Sequence, residues 1–221
     1  MLTSINVKTF QPEVEHDTLF IEKKHISIYK RLFDLSLASL MTIAILIWLI
    51  PLVGLLIKLE SKGPILFIQL RTGRNGKPFF CFKFRTMTHE RNAIFKQAIK
   101  DDDRVTRIGK FLRKTSIDEM PQFLNVLIGN MSIVGPRPHA IEHDANYWGV
   151  LKGYQNRYAA LPGITGLAQV RGSRGITDKF VKINHRLQYD LFYIRKHTLL
   201  LDIKICWWTV TEMLKGDKNA W

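Results

Sequence analysis

The sequence has few cysteines and few acidic residues. Its 221 residues include two cysteines, Cys81 and Cys206, which lie too far apart for a short-spaced zinc site and are too few for a disulfide framework. Reduced thiols on the cytoplasmic side are expected. Asp and Glu number 19 against 33 Lys and Arg, which gives a net charge of +14. This excess favours polyanionic partners, whether nucleic acid, anionic membrane or phosphorylated substrate.

Several other patterns are missing as well. There is no internal repeat, no linker rich in Gly, Pro or Ser, and no glycine pattern of the dinucleotide or phosphate-loop type. Hydrophobic residues make up 46% and charged residues 24%, so the chain has enough apolar side chains for a core. The sequence therefore predicts a folded protein with one core and appendages.

One long stretch has no charged residue. Positions 35–57 are uncharged and are bracketed by Asp34 and Lys58. About 20 apolar residues suffice to cross the hydrocarbon core of a membrane. A cleaved signal peptide does not fit, because 34 residues precede the stretch and the small-residue cleavage pattern is missing. We expect a membrane segment that stays in the mature protein.

Basic residues flank this segment on both sides. The positive-inside rule places Lys and Arg on the cytoplasmic side, so a helix that enters and leaves by one leaflet satisfies both flanks. Pro51 is the predicted break of such a re-entrant helix, since proline removes one helical hydrogen bond. A single span with a tolerated proline fits the sequence equally well. The flanking residues are Lys23, Lys24, Lys30 and Arg31 before the segment and Lys58, Lys62, Arg71, Arg74, Lys77, Lys83 and Arg85 after it.

The remainder predicts a compact α/β body. Residues 65–70 and 79–84 have strand composition, and Asn75-Gly76 between them is a strong hairpin signal. Residues 104–114 have the spacing of a basic amphipathic helix, and residues 178–196 that of a longer one. The apolar stretch 199–214 contains the charged residues Asp202 and Lys204, which favours an interfacial helix over a span.

Two local patterns carry candidate chemistry. Ser116 and Glu119 have the spacing of a capping box, which predicts a helix that begins there with Asp118 in its first turn. Such acids either stabilise the helix end or take part in a reaction. The sequence GPRP at 135–138 fixes Arg137 between two prolines, as a phosphate ligand or as an ordinary arginine on a stiff turn.

Five segments in this order resemble one family. The set is similar to the bacterial sugar transferases, the monotopic phosphoglycosyl transferases that start polysaccharide and glycoconjugate assembly. The resemblance implies an N-terminal extension at 1–27, a re-entrant membrane helix at 28–60 and a cytoplasmic catalytic domain at 61–221. The segments are KRLFD at 30–34, KFRTM at 83–87, TSIDEMPQ at 115–122, GPRP at 135–138 and LPGITGLAQV at 161–170.

The resemblance implies a reaction and roles for named residues. A sugar 1-phosphate passes from a UDP-sugar to polyprenyl (undecaprenyl) phosphate through an aspartyl-phosphosugar intermediate, with Asp118 as the nucleophile. Glu119 assists in positioning or proton transfer. A divalent cation, Mg²⁺, is expected with Asp118 as its first protein ligand. The arginines expected to hold phosphate or nucleotide are Arg113 and Arg137, with Arg85 and Arg174 as weaker candidates.

The resemblance also implies a location and partners. The location is the cytoplasmic face of the bacterial inner membrane. The partners are membrane lipid and downstream glycosyltransferases, nucleic acid is not expected as a partner, and homo-oligomerisation is left open. The chain ending, with GITD at 175–178, YDLFYI at 189–194, LDIK at 201–204 and NAW at 219–221, is similar to the branch that transfers glucose or galactose. Two alternatives stay open: the same reaction with an acetamido sugar, and a membrane-anchored polyanion-binding adaptor without chemistry.

Overall fold

The computed structural model describes residues 27–89, 99, 101–173 and 180–215. The described part begins with one continuous helix, Ile28–Glu60, of 33 residues. It consists of α1 (Ile28–Met41), a π-helical turn (Thr42–Leu46) and α2 (Ile47–Glu60). Within the described ranges this is the one helix that is long and apolar enough to cross a membrane.

Pro51 lies inside this helix. Residues on both sides of it are helical, and the departure from α geometry is the π-helical turn that ends at Leu46. The helix is therefore not interrupted at Pro51, where the sequence predicted a helix-break-helix, and the re-entrant path through a bilayer stays a prediction.

The predicted hairpin is confirmed. Strands β1 (Leu66–Thr72) and β2 (Pro78–Phe84) pair antiparallel, with Leu66 opposite Phe84. Asn75 and Gly76 have φ angles of 57° and 72° in the turn, which is the conformation that an Asn-Gly pair tolerates best.

The body is mostly helical, with two two-stranded sheets among the described residues. Beyond the hairpin its elements are α3 (Arg107–Lys114), α4 (Gln122–Ile128), β3 (Ser132–Val134), α5 (Ile141–Tyr147), β4 (Gly163–Thr165), α6 (Leu167–Val170), α7 (Phe180–Lys196) and α8 (Leu199–Lys215). Strands β3 and β4 pair in parallel. The amphipathic helices predicted near 104–114 and 178–196 are confirmed as α3 and α7, and the C-terminal helix as α8. Residues 178–179 lie outside the described ranges.

The N-terminal end of the long helix is fixed to the body by buried charges. Lys30 Nζ lies 3.0 Å from Asp34 Oδ1 and 3.0 Å from Asp202 Oδ2 of α8. Asp34 also accepts a hydrogen bond of 3.0 Å from the backbone N–H of Ile133 in β3. Arg31 donates to the carbonyl oxygens of Val126 and Leu127, at the C-terminal end of α4. These contacts join the helix to three elements of the body.

The C-terminal end of the same helix is fixed as well. Glu60 accepts hydrogen bonds from the backbone N–H groups of Arg107 (2.6 Å) and Ile108 (3.0 Å), which are the free donors at the start of α3. Ile57 and Leu112 are both buried in one apolar cluster beneath this contact. Both ends of the long helix therefore rest on the same body.

Candidate active site

Asp118 and Glu119 lie in a tight turn between α3 and α4. Residues Ile117–Glu119 form one 3₁₀ turn after Ser116, which has a left-handed φ of 57° and a side chain that caps nothing. The predicted capping box is therefore wrong, and α4 begins later, at Gln122. The reason is that the Glu119 carboxylate is bound elsewhere.

Two cations hold Glu119. Arg137 donates from Nη2 to Oε1 (2.6 Å) and from Nη1 to Oε2 (3.1 Å). This bidentate pairing fixes the orientation of the guanidinium group relative to the carboxylate. Lys83 Nζ, from β2, lies 2.6 Å from the same Oε1. Burial alone would raise the pKa of Glu119, but Arg137 and Lys83 lower it well below its ordinary value. Glu119 is thus an ionised, immobilised carboxylate.

The carboxylate of Asp118, in contrast, is not paired. No side chain or backbone N–H among the described residues donates a hydrogen bond to its carboxylate. Burial raises the pKa of Asp118 to about 6, an effect that Lys83 partly opposes. A carboxylate with free oxygens and a raised pKa is a more reactive base and nucleophile than one that is paired.

Arg113 approaches Asp118 from the last turn of α3. Its Nε donates a hydrogen bond of 3.0 Å to Thr86 Oγ1. Burial lowers the pKa of Arg113, and the nearby Asp118 carboxylate opposes that shift. Together with Lys83 and Arg137 it gives three cations around two carboxylates, so the site carries a surplus positive charge that suits a diphosphate.

The strand and the turn are tied together by a buried amide. Asn125 of α4 donates from Nδ2 to the carbonyl oxygen of Phe80 (2.7 Å) and accepts from the N–H of Phe82 (3.0 Å). These bonds fix the free edge of β2 against α4. Lys83, one residue further along β2, is thereby brought to Glu119.

The structure thus brings together four of the residues with a predicted site role, and the roles themselves stay predictions: Asp118, Glu119, Arg113 and Arg137. It adds Lys83, which the sequence reasoning missed as a site residue. Strand alternation could have found it, since Cys81 and Lys83 share one face of β2 and Cys81 is buried.

The two weaker arginine candidates differ. Arg85 is buried and donates to the carbonyl oxygens of Ser61 and Lys62, where it closes the C-terminal end of the long helix. Its contacts are therefore structural in character. Arg174 lies outside the described residues.

The site fits a divalent cation only in a limited way. The described residues contain no group of three or more His, Cys, Asp or Glu side chains that could enclose a metal ion. Mg²⁺ often takes one or two carboxylates, with phosphate oxygens and water filling its other positions. Asp118 offers one such carboxylate, because its oxygens lack donors, whereas the Glu119 oxygens are occupied by cations.

A family model described as bacterial sugar transferase matches residues 25–216. The chain belongs to the bacterial sugar transferase family. The match covers the long helix, the hairpin and the Asp118–Glu119 turn. The membership predicted from the sequence motifs is confirmed.

Three curated relatives illustrate the similarity. The chain is 50% identical to the UDP-glucose:undecaprenyl-phosphate glucose-1-phosphate transferase of Klebsiella pneumoniae, over 83% of this chain and 39% of that protein. It is 48% identical to the enzyme of the same name from Caulobacter vibrioides, over 89% of this chain and 73% of that protein. It is 44% identical to the exopolysaccharide production protein PSS of Rhizobium leguminosarum, over 87% of this chain and 98% of that protein. The chain thus spans about two fifths of the Klebsiella relative.

Proposed function

We propose that this protein transfers glucose 1-phosphate from UDP-glucose to undecaprenyl phosphate and so starts exopolysaccharide assembly. The observation that carries the proposal is the contrast between two adjacent acids. Glu119 is ionised and held by Arg137 and Lys83, whereas Asp118 has free oxygens and a pKa of about 6. An adaptor that only binds polyanions has no use for an unpaired, partly buried carboxylate in a cationic site.

The reaction proceeds in two displacements. One Asp118 oxygen attacks the phosphorus that carries the sugar, the bond from that phosphorus to the bridging oxygen breaks, and UMP leaves. An oxygen of undecaprenyl phosphate then attacks the same phosphorus, and the Asp118 carboxylate leaves. The products are UMP and undecaprenyl diphosphate glucose, which downstream glycosyltransferases would extend.

The neighbouring side chains supply charge and orientation. Attack of a carboxylate on a diphosphate is opposed by like charge, and Arg137, Lys83 and Arg113 offset that repulsion. Glu119 keeps Arg137 and Lys83 at a fixed separation. Mg²⁺, held by Asp118 and the substrate phosphates, would neutralise further phosphate charge when bound.

Mixed-donor transfer tests both the reaction and the sugar. Equal amounts of UDP-glucose, UDP-galactose and their acetamido counterparts are offered with undecaprenyl phosphate in detergent. UMP release and a glucose lipid are expected, because a pocket that leaves an acetamido amide unpaired costs about 1–3 kcal/mol, or roughly 5- to 150-fold. A dominant acetamido product would remove the glucose assignment and keep the reaction class. No UMP from any donor would remove the reaction.

The membrane placement that we propose is monotopic, on the cytoplasmic face. The long helix measures about 50 Å at 1.5 Å per residue, and its two ends contact the same body through Asp34 and Glu60. A perpendicular span would carry one end to the far side of the bilayer, away from those contacts. A path within one leaflet keeps both.

The outer face of α8 supports the same placement. Five of its exposed apolar side chains recur every three or four residues and form one stripe, as in a helix that lies in the membrane interface. They are Leu200, Ile203, Trp207, Val210 and Leu214.

Cysteine labelling tests this topology. Cysteines introduced at positions 24 and 62, in a background without Cys81 and Cys206, should both resist an impermeant reagent added outside intact cells and both react after permeabilisation. Labelling of either position from outside would establish a single span.

A further inference from the structure

The backbone that carries Arg137 is held at four successive carbonyl groups. Pro136 O accepts from Gly163 N (2.9 Å), and His139 O accepts from Thr72 N (3.3 Å). Pro138 O accepts from Arg71 Nη1 (2.7 Å), and Arg137 O accepts from Arg157 Nη2 (2.7 Å). Two of these donors are therefore guanidinium groups, which stay protonated and able to donate at any physiological pH.

Arg157 is the more deeply embedded of the two. It is 2% exposed, and the same Nη2 that reaches Arg137 O lies 2.9 Å from Asp190 Oδ2 of α7, which is also 2% exposed. Its Nη1 lies 2.6 Å from His139 Nδ1 and 3.3 Å from the Tyr154 hydroxyl. A buried cation needs a countercharge and hydrogen-bond partners, and Nη1 and Nη2 of Arg157 have theirs on several elements, while its Nε has no partner among the described residues.

The chemistry of His139 agrees with this arrangement. Burial and the adjacent Arg157 lower the pKa of His139 well below its ordinary value, so the ring is neutral at physiological pH and its Nδ1 can accept from Arg157. The Tyr154 hydroxyl donates a hydrogen bond to Asp144 Oδ1 (2.7 Å), so this oxygen of the second acidic residue near Arg157 has a partner as well.

We propose that Arg157, anchored by Asp190, is a positioning residue that sets the reach of the Arg137 guanidinium toward Glu119 and the donor diphosphate. This rests on the proposed role of Arg137 in binding that diphosphate. The planar fork of Arg157 places Nη2 beside the Arg137 carbonyl and Asp190 and Nη1 beside His139, whereas a lysine has a single nitrogen and cannot occupy both positions. Arg157 touches no reacting atom in this role and acts through Arg137 alone.

A double-mutant cycle tests the proposal in the full-length protein. The variants Arg157→Lys, Arg137→Lys and their combination are purified in detergent, and kcat and KM for UDP-glucose are measured with undecaprenyl phosphate. Arg157→Lys should lower kcat/KM by about tenfold or more, which equals loss of about one charge-assisted hydrogen bond. When Arg137→Lys is already present, it should lower kcat/KM by less than about twofold, because the side chain that it positions is gone.

Arg31→Lys is the matched control. Arg31 is another arginine whose Nη1 and Nη2 donate to backbone carbonyl oxygens, those of Val126 and Leu127 in α4, outside the segment that carries Arg137. Any effect of Arg31→Lys on kcat/KM should be the same factor in both backgrounds. Equal factors for Arg157→Lys in both backgrounds would overturn the proposal, as would no effect of Arg157→Lys on a protein in which Arg137→Lys is harmful.

A binding measurement keeps the test independent of turnover. UDP with Mg²⁺ should raise the apparent Tm of the unaltered protein and of Arg31→Lys, and should raise that of Arg157→Lys distinctly less. If Arg157→Lys shows no cooperative unfolding, Asp190→Asn replaces it in the same cycle; if neither variant folds, the requirement is for stability and the positioning role is rejected. Failure of the proposed function is distinguishable, because then the unaltered protein releases no UMP or Arg137→Lys has unaltered kinetics.

Discussion

Asp118→Asn is expected to abolish transfer and, at the same time, to stabilise the fold. The folded-state pKa of Asp118 is about 6, against 3.8 for the unperturbed carboxyl. This difference of about 2 pKa units corresponds to at most about 3 kcal/mol at 1.36 kcal/mol per unit, less what solvent screening removes from a partly exposed group. The neutral amide avoids this cost of keeping a carboxylate charged in the site.

The sign of the effect depends on pH in a defined way. Because the pKa is raised on folding, the folded state binds the proton more tightly, and stability is lost as pH rises from about 4 through 6. The gain from Asp118→Asn is therefore full at pH 8 and vanishes below about pH 4. At roughly 2–4 °C per kcal/mol for a chain of this size, the apparent Tm at pH 8 rises by up to about 10 °C.

Glu119→Gln is the matched comparison, with the opposite sign. Removing that charge leaves Lys83 and Arg137 without their carboxylate, which should cost about 2 kcal/mol or more. Thermal unfolding of both variants in detergent at pH 8 and pH 4.5, followed by tryptophan fluorescence, gives the comparison. Asp118→Asn that retains turnover, or that lowers the Tm at pH 8 as Glu119→Gln does, would refute the reasoning.

Three more outcomes are expected. The kcat/KM for UDP-glucose should fall about tenfold per pH unit below about pH 6, since only ionised Asp118 attacks; a flat pH–rate profile down to pH 5 would contradict this. Arg137→Lys should lower kcat/KM by about tenfold or more in steady-state assays, because a lysine cannot span both Glu119 oxygens. Unaltered kinetics would show that Arg137 has no role in the reaction. Glu60→Ala should lower the apparent Tm by about 2–4 °C, because it removes about 1 kcal/mol of capping at the start of α3. Glu212→Ala removes an exposed ion pair on α8 and should leave the Tm unchanged. Equal shifts for the two variants would show that Glu60 does not stabilise the start of α3.

The elements that could be predicted from the sequence are those specified locally. The hairpin follows from the Asn75-Gly76 turn, and α3 and α7 follow from their apolar periodicity. The capping box at Ser116 failed because it is also a local argument, and a tertiary contact replaced it. Glu119 pairs with Lys83, which is 36 positions away in the sequence, and with Arg137, which is 18 positions away. No local sequence pattern predicts such pairs.

The catalytic role of Asp118 and Glu119 is implied by the family resemblance, and the structure adds the physical difference between the two side chains. Asp118 and Glu119 are neighbours in sequence, yet one side chain meets two cations and the other meets no donor among the described residues. Composition and spacing cannot distinguish these environments, because they depend on which face of β2 meets the turn.

The segment KRLFD at 30–34 shows how a motif of the family can serve the site without lying in it. Asp34 is fully buried and bonds to Lys30 and to the backbone of Ile133, while Lys30 also reaches Asp202. Strand β3, which begins at Ser132, leads directly into the loop that carries Arg137. The start of the long helix is thereby fixed to the strand that leads to Arg137, for which we propose a role in phosphate binding. A buried carboxylate with these partners cannot shift along β3 without leaving a charge unpaired, which costs several kcal/mol. In the placement that we propose, the depth of the long helix in the membrane sets the height of the candidate active site above it, where the proposed lipid-linked phosphate meets the soluble nucleotide sugar.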